Sequence, residues 1–190
     1  MQSHTWWYVA RAGGIVAWAL AALAVIGGLQ LTTRLLRRPP PAWMLDVHRF
    51  LGGLSVAFVG VHLLGLAFDQ FIGFGPADFL VPFVSSYKPA AVALGVVAMY
   101  LLVAVEVTSL AMRRIPRRTW RAVHLSSYAI YVTATVHGLT AGTDRHHAVF
   151  QWACMLSAAV VLMMTLVRVW SPRREARPAA GAARGPRPRQ

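Results

Sequence analysis

Long apolar runs alternate along this chain with short polar stretches that carry most of its arginines. Five segments approach the roughly 20 apolar residues that a bilayer crossing needs. They lie at about 9–31, 44–68, 89–111, 119–141 and 148–170. The first, third and fifth lack the polar face that a helix in a water-soluble bundle would show. The second and fourth are less purely apolar, because each carries two histidines. The pattern predicts an all-α integral membrane helical bundle of about five transmembrane helices. Residues 1–170 are expected to form a single domain. The apolar stretch from Ile15 to Leu31 is longer than the roughly 7–15-residue core of a cleaved signal, and positive charges follow it, so a retained helix is expected.

Charge then orients the bundle. The net charge of +13 alone would suggest nucleic acid as a partner. Its distribution argues for no nucleic acid, because the arginines cluster beside hydrophobic segments or in the final residues. One side of the membrane receives Arg34, Arg37 and Arg38, then Arg113, Arg114, Arg117 and Arg118, then the tail from Arg173. The other side has Arg11, Lys88 and Arg145, with Asp69, Asp78 and Asp144. By the positive-inside rule the N-terminus is outside and the C-terminus inside. Trp6, Trp7 and Tyr8 are expected at the outer interface, and Trp43, Trp120 and Trp170 at the inner one. The segment 171–190, rich in Pro, Gly, Ala and Arg, is expected to be a disordered basic cytoplasmic tail. The outer loop 69–88 is too broken by Gly and Pro to span. Its Phe71, Phe74, Phe79 and Phe83 suggest an interfacial or re-entrant lid, or an amphipathic loop lying on the membrane.

The chemistry rests on four histidines. His48 and His62 are fourteen residues apart in the second span. At about 1.5 Å per residue they differ in height by roughly 21 Å, and close to four whole turns point them to one face. His124 and His137 are thirteen residues apart in the fourth span. Heights therefore match, with His48 and His124 near the inside and His62 and His137 near the outside. Angles match less well, since thirteen ideal steps leave His137 well away from the azimuth of His124. A tightened, 3₁₀-like distortion is expected between Ser126 and Thr135. A lone membrane histidine is usually a hydrogen-bonded structural residue. Four at matched heights instead suit axial ligation of two stacked b-type haems by neutral imidazole. Two ligands per level do not suit structural zinc, which wants four clustered donors. With Cys154 as the one cysteine and no CxxCH, such haem would be non-covalent.

Other residues could assist. Gly52, Gly53, Gly60 and Gly138 lie close to the histidines in sequence and could let a flat porphyrin approach, or serve helix packing. Arg49 and Arg121 could bind haem propionates. Glu106, the one acid well inside a span, is expected to pair with Arg49 or Arg121, or else to carry a proton. His4 is expected to be a solvated tail residue, and Cys154 small apolar packing. His146 and His147 could bind a metal ion or be plain loop polarity.

The segments HRFLGGLSVAFVGVH and HLSSYAIYVTATVH resemble the transmembrane domain of the ferric reductase superfamily. That group includes NADPH oxidases, eukaryotic ferric reductases and the bacterial haem-binding subunit of the periplasmic methionine sulfoxide reductase system. The likeness covers roughly residues 44–141. It implies that His48 and His124 ligate an inner haem and His62 and His137 an outer one. It also implies that electrons pass from a cytoplasmic donor outward. Members commonly have six spans; this chain shows five, lacking one before the first histidine-bearing span. No GxGxxG in a βαβ context occurs, so no flavin or NADPH module is expected here. The chain therefore resembles the stand-alone bacterial members, which need a separate cytoplasmic flavoprotein or quinol as donor.

The expectation is a multi-pass protein of the cell membrane, a di-haem b electron-transfer subunit whose outer acceptor or partner reductase is unknown. The alternatives are a quinol-linked cytochrome b subunit of a larger complex and a non-redox haem carrier. A proton relay and a purely structural role explain less of the histidine pattern. Arg113–Arg118 would be the natural surface for a soluble donor.

Overall fold

A computed structural model describes residues 4–33, 42–70 and 72–170. Within them the chain is helical and forms no strand. Helix α1 runs Thr5–Thr33, α2 Ala42–Phe68, α3 Pro76–Leu80, α4 Pro89–Leu110, α5 Arg117–Leu125, α6 Ser127–Ala141 and α7 Ala148–Trp170. A 3₁₀ turn, Thr143–His146, joins α6 to α7. Helices α1, α2, α4 and α7 are each long and apolar enough to cross a membrane. The expected tail 171–190, the arginines at 34, 37 and 38, and Phe71 fall outside the described residues.

The breaks follow local chemistry. Pro76 and Pro89 sit in the first turns of α3 and α4, where a missing N–H costs nothing. Asp78 reaches back to accept the Gly75 N–H at 2.7 Å, closing the start of α3. The expected span 119–141 is not one helix. It is interrupted at Ser126, whose N–H donates to Val123 O at 3.0 Å, an i→i−3 bond of 3₁₀ type. The Ser126 hydroxyl donates to the same carbonyl at 2.6 Å. The distortion required by the thirteen-residue spacing thus falls at the first residue of the expected interval.

Packing divides the bundle. Helix α2 lies along α1, and α4 lies along α6, while α7 covers another side of α1. Small residues on α1 permit this closeness: Ala10, Gly13, Ala17 and Ala22 are all buried. Ala22, Leu29, Tyr131, Val161 and Met164 form the cluster where α1, α6 and α7 meet. By contrast, α2 touches α4 only over a short stretch and makes no comparable backbone contact with α6. Side chains alone bridge that gap. Leu and Val side chains on the outer surface of α7, such as Leu156 at 67% and Val169 at 76% exposure, face outward as lipid-contacting positions do.

The expected aromatic belt holds in part. Trp6, Tyr8, Trp43 and Trp170 are exposed. Trp120 instead turns inward and stacks on His124, with ring centres 5.0 Å apart. Cys154 is buried, as a packing residue would be.

Candidate functional site: two histidine pairs across the helix gap

The four histidines meet two by two across the gap between α2 and the α5–α6 pair. His48 and His124 have ring centres 6.0 Å apart with planes crossed at 71°. His62 and His137 are 6.4 Å apart and crossed at 79°. These distances have a simple reading. An imidazole nitrogen sits about 2 Å from a first-row metal, and its ring centre roughly 1.1 Å further, so two rings sharing one iron stand about 6.3 Å apart. Both pairs leave that interval.

Hydrogen bonds set the tautomers. His62 Nδ1 donates to Ala10 O at 2.6 Å, His137 Nδ1 to Ala91 O at 2.7 Å, and His48 Nδ1 to Ala24 O at 2.9 Å. A carbonyl only accepts, so in the neutral ring the proton is on Nδ1 and Nε2 is left bare as a ligand atom. His124 differs: its Nδ1 is 3.5 Å from Ser109 Oγ, a long contact. Three ligand-like histidines are thus aimed by helix carbonyls, and the fourth is held by stacking on Trp120.

Glycines make these approaches possible, but different ones from those the sequence suggested. A Cβ on Gly14 would come within 2.9 Å of the His62 ring, one on Gly28 within 3.2 Å of His48, and one on Gly95 within 2.8 Å of His137. These residues lie on α1 and α4, behind the histidines. Gly60 opens on empty space, Gly138 faces Phe150, and Gly52 and Gly53 face Glu106. Sequence neighbours of the histidines do not reveal these glycines, because a histidine ring reaches across to the adjacent helix. A helix glycine opposite a histidine was the signal available, and it needs the packing to be known.

A cavity of about 250 Å³ adjoins the outer pair. His62, His137, Gly14 and Gly95 line it, and Trp18 and Phe150 wall it laterally. Loop 69–88 covers it with Phe74, Phe79 and Tyr87, while Leu80, Val81, Phe83 and Val84 stay exposed on its far side. The loop is fastened there: Tyr100 donates to Leu80 O at 2.7 Å and Lys88 to Thr140 O at 2.8 Å. The loop thus covers the cavity on one side and turns an apolar side outward on the other, an arrangement compatible with both expectations, an interfacial lid and an amphipathic loop lying on the membrane.

At the cavity rim Arg11 grips Asp144 through both Nε and Nη2, and lies over the Trp7 ring. The pair ties α1 to the 3₁₀ turn. Asp144→Asn should lower the melting temperature in detergent, at a cost of about 1–2 kcal/mol. Arg11 is one-third exposed, which keeps the loss below the roughly 3–5 kcal/mol of a fully buried pair. An unchanged melting curve would show that the pair is ornamental.

The remaining expectations divide. Arg49 lies 3.7 Å from Asp46 on an exposed surface, and Arg121 is exposed. Neither pairs with Glu106, which correctly stays within a span but rests against Gly52 and Gly53. The expected ion pair is therefore absent among the described residues: Arg49 sits nearer the helix end, where Asp46 is one turn away. His4, His146 and His147 are exposed, and the described residues contain no cluster of three metal-binding side chains. Two buried polar atoms near the inner level, Gln30 Oε1 and Trp120 Nε1, have no partner among the described residues. Unmet groups of this kind fit a site whose occupant brings polar edges.

A family model described as ferric reductase like transmembrane component matches residues 13–135, more than half of the chain. That interval contains both histidines of α2, the helix break and His124, and it ends two residues before His137. No curated protein and no solved structure matches the chain.

Proposed function

We propose, from the premise that this chain belongs to the ferric reductase-like transmembrane family, that it is a di-haem b conduit carrying electrons across the cell membrane. The family gives a membrane electron-transfer domain; the two haems, their ligands and the direction are our reading. The carrying observation is the pair of ring separations, 6.0 and 6.4 Å, at two levels of one bundle. His48 and His124 would hold the inner haem through Nε2, and His62 and His137 the outer one. Bound haem supplies a one-electron carrier at each level.

The chain's own residues do the rest. Ala24 O, Ala10 O and Ala91 O orient three rings and make them more basic ligands. Trp120 Nε1 would donate to a carboxylate at the inner haem's edge, which would satisfy its unmet N–H. Phe74 and Phe79 keep water from the outer site. Five crossings follow if α5 and α6 together make the fourth. The positive-inside bias then puts the N-terminus outside and the basic segment 171–190 inside. A separate cytoplasmic flavoprotein or a quinol would supply electrons, and an outer acceptor or partner reductase would take them. Two histidines at each level would hold a haem without leaving room for an exchangeable ligand, which favours relay over haem carriage.

Sealed vesicles test the direction. With reductant trapped inside and a membrane-impermeant ferric chelate outside, reduction of the chelate should require the chain and its haem. Chelate reduction equal to that of empty vesicles would defeat the conduit reading even if haem is bound.

A further inference from the structure

Glu106 occupies a place that no ion pair among the described residues explains. It lies on α4, inside the membrane-spanning part of the bundle. Its Oε2 is 3.0 Å from where a Cβ on Gly52 would stand, and its Oε1 is 3.7 Å from the corresponding point on Gly53. The absent side chains of those two glycines are what let the carboxyl reach α2. Gly52 is one helical turn from His48, roughly 6 Å along the axis toward the membrane centre. Ser109, on the same face of α4 one turn inward, contacts His124 at 3.5 Å. The carboxyl therefore sits in the gap between helices, just beyond the inner histidine pair and toward the outer one.

The charged and titratable groups around it are few. His48 faces it from α2, with Asp46 and Arg49 beyond, engaged with each other at the surface. From α5 come His124 and the exposed Arg121. The tyrosines of α6 are occupied elsewhere, Tyr131 with Ser157 at 2.7 Å and Tyr128 with Thr165 at 3.5 Å on α7. The other described acids, Asp46, Asp69, Asp78 and Asp144, lie at helix ends or in loops. Glu106 is half-buried and four residues from the inner end of α4, so the inner aqueous phase can exchange protons with it.

We propose that Glu106 is a redox-linked proton acceptor of the inner site: its carboxylate takes up one proton from the inner aqueous phase when that site gains one electron, and releases it when the electron leaves. The proposal rests on the reading that a haem is held by His48 and His124. A carboxylate beside a redox centre favours the more oxidised, more positive state. An added electron raises the carboxylate's affinity for a proton. The proton itself then restores charge balance in the low-dielectric gap. Glu106 acts through the field at the inner site and is a positioning charge rather than a catalytic residue.

Potentiometric titration of the purified full chain in lipid nanodiscs tests it, with haem content and absorption spectra recorded first. One of two midpoint potentials should fall as pH rises, since proton uptake accompanies reduction. In Glu106→Gln that midpoint should lie above the wild-type value at the alkaline end and lose its slope, while the other midpoint is unchanged. Glu106→Asp should keep the slope. A slope that survives in Glu106→Gln would assign the proton to another group, such as the haem carboxylates, and overturn the proposal. So would a wild type with no slope, or loss of the inner haem in both variants, which would make Glu106 merely structural. A wild type with fewer than two haems would take down the reading beneath it as well, and the spectra show that before any potential is measured.

Discussion

His62→Ala or His137→Ala is expected to yield a folded chain with roughly one haem in place of two, and the surviving haem should be the inner one. Each substitution removes a proposed ligand whose ring is held by the helix carbonyl of Ala10 or Ala91, at 2.6 and 2.7 Å. No other histidine lines the outer cavity to replace it. His48→Ala and His124→Ala should remove the inner haem in the same way. Double substitutions make the pairing testable. His62→Ala with His137→Ala should cost no more haem than either alone, because both ligands serve one iron. His48→Ala with His62→Ala should remove both haems. These six proteins separate the geometry of paired levels from any scheme in which each histidine acts alone. Pyridine haemochrome content and the reduced-minus-oxidised spectrum are the measurements. Additive loss within the His62/His137 pair would refute the shared iron.

Much of this arrangement was legible in the sequence, because hydrophobic length and residue spacing are one-dimensional quantities. The positions of α1, α2, α4 and α7 follow from runs of apolar residues that water would not tolerate. The heights of the four histidines follow from helical rise alone. So did the need for a distortion: an ideal helix turns about 100° per residue, so thirteen steps fall some 140° short of four turns. The structure resolves the mismatch by ending α5 at Leu125 and restarting at Ser127.

What sequence could not show is which helix stands behind each histidine. The glycines that matter, Gly14, Gly28 and Gly95, are far in sequence from the rings they admit. Gly52 and Gly53, close to His48, serve Glu106 instead. Shared depth in the membrane misled for Glu106 and Arg49: Arg49 turns to the surface beside Asp46, while Glu106 faces Gly52 and Gly53. Trp120 was placed at the interface by composition, whereas its i, i+4 relation to His124 lets it stack inward on α5. Contacts between helices depend on rotation about each axis, and uniformly apolar spans carry little information about rotation.

Gly65→Leu is expected to be the most damaging single change away from the histidines, through the same helix contact that aims His62. A Cβ at Gly65 would meet the backbone of Ala10 itself, at 2.5 Å from N and 2.7 Å from Cα. Backbone cannot rotate aside as a side chain does, so α1 and α2 must move apart. Overpacking of this kind typically costs about 1–3 kcal/mol, and more when a backbone is the obstacle. The displaced residue is the one whose carbonyl accepts from His62 Nδ1. Two losses should therefore travel together: a lower melting temperature, and reduced occupancy or altered spectrum of the outer haem with the inner haem less affected. Gly95→Val provides the contrast. The three atoms nearest a Cβ there all belong to the His137 ring, the closest at 2.8 Å. It should strip the outer haem while leaving α1 against α2, so the melting temperature of the haem-free protein stays near that of haem-free wild type. If Gly65→Leu melts like wild type and keeps both haems, the close packing of α1 on α2 is not what positions His62, and the carbonyl of Ala10 has no part in aiming the ligand.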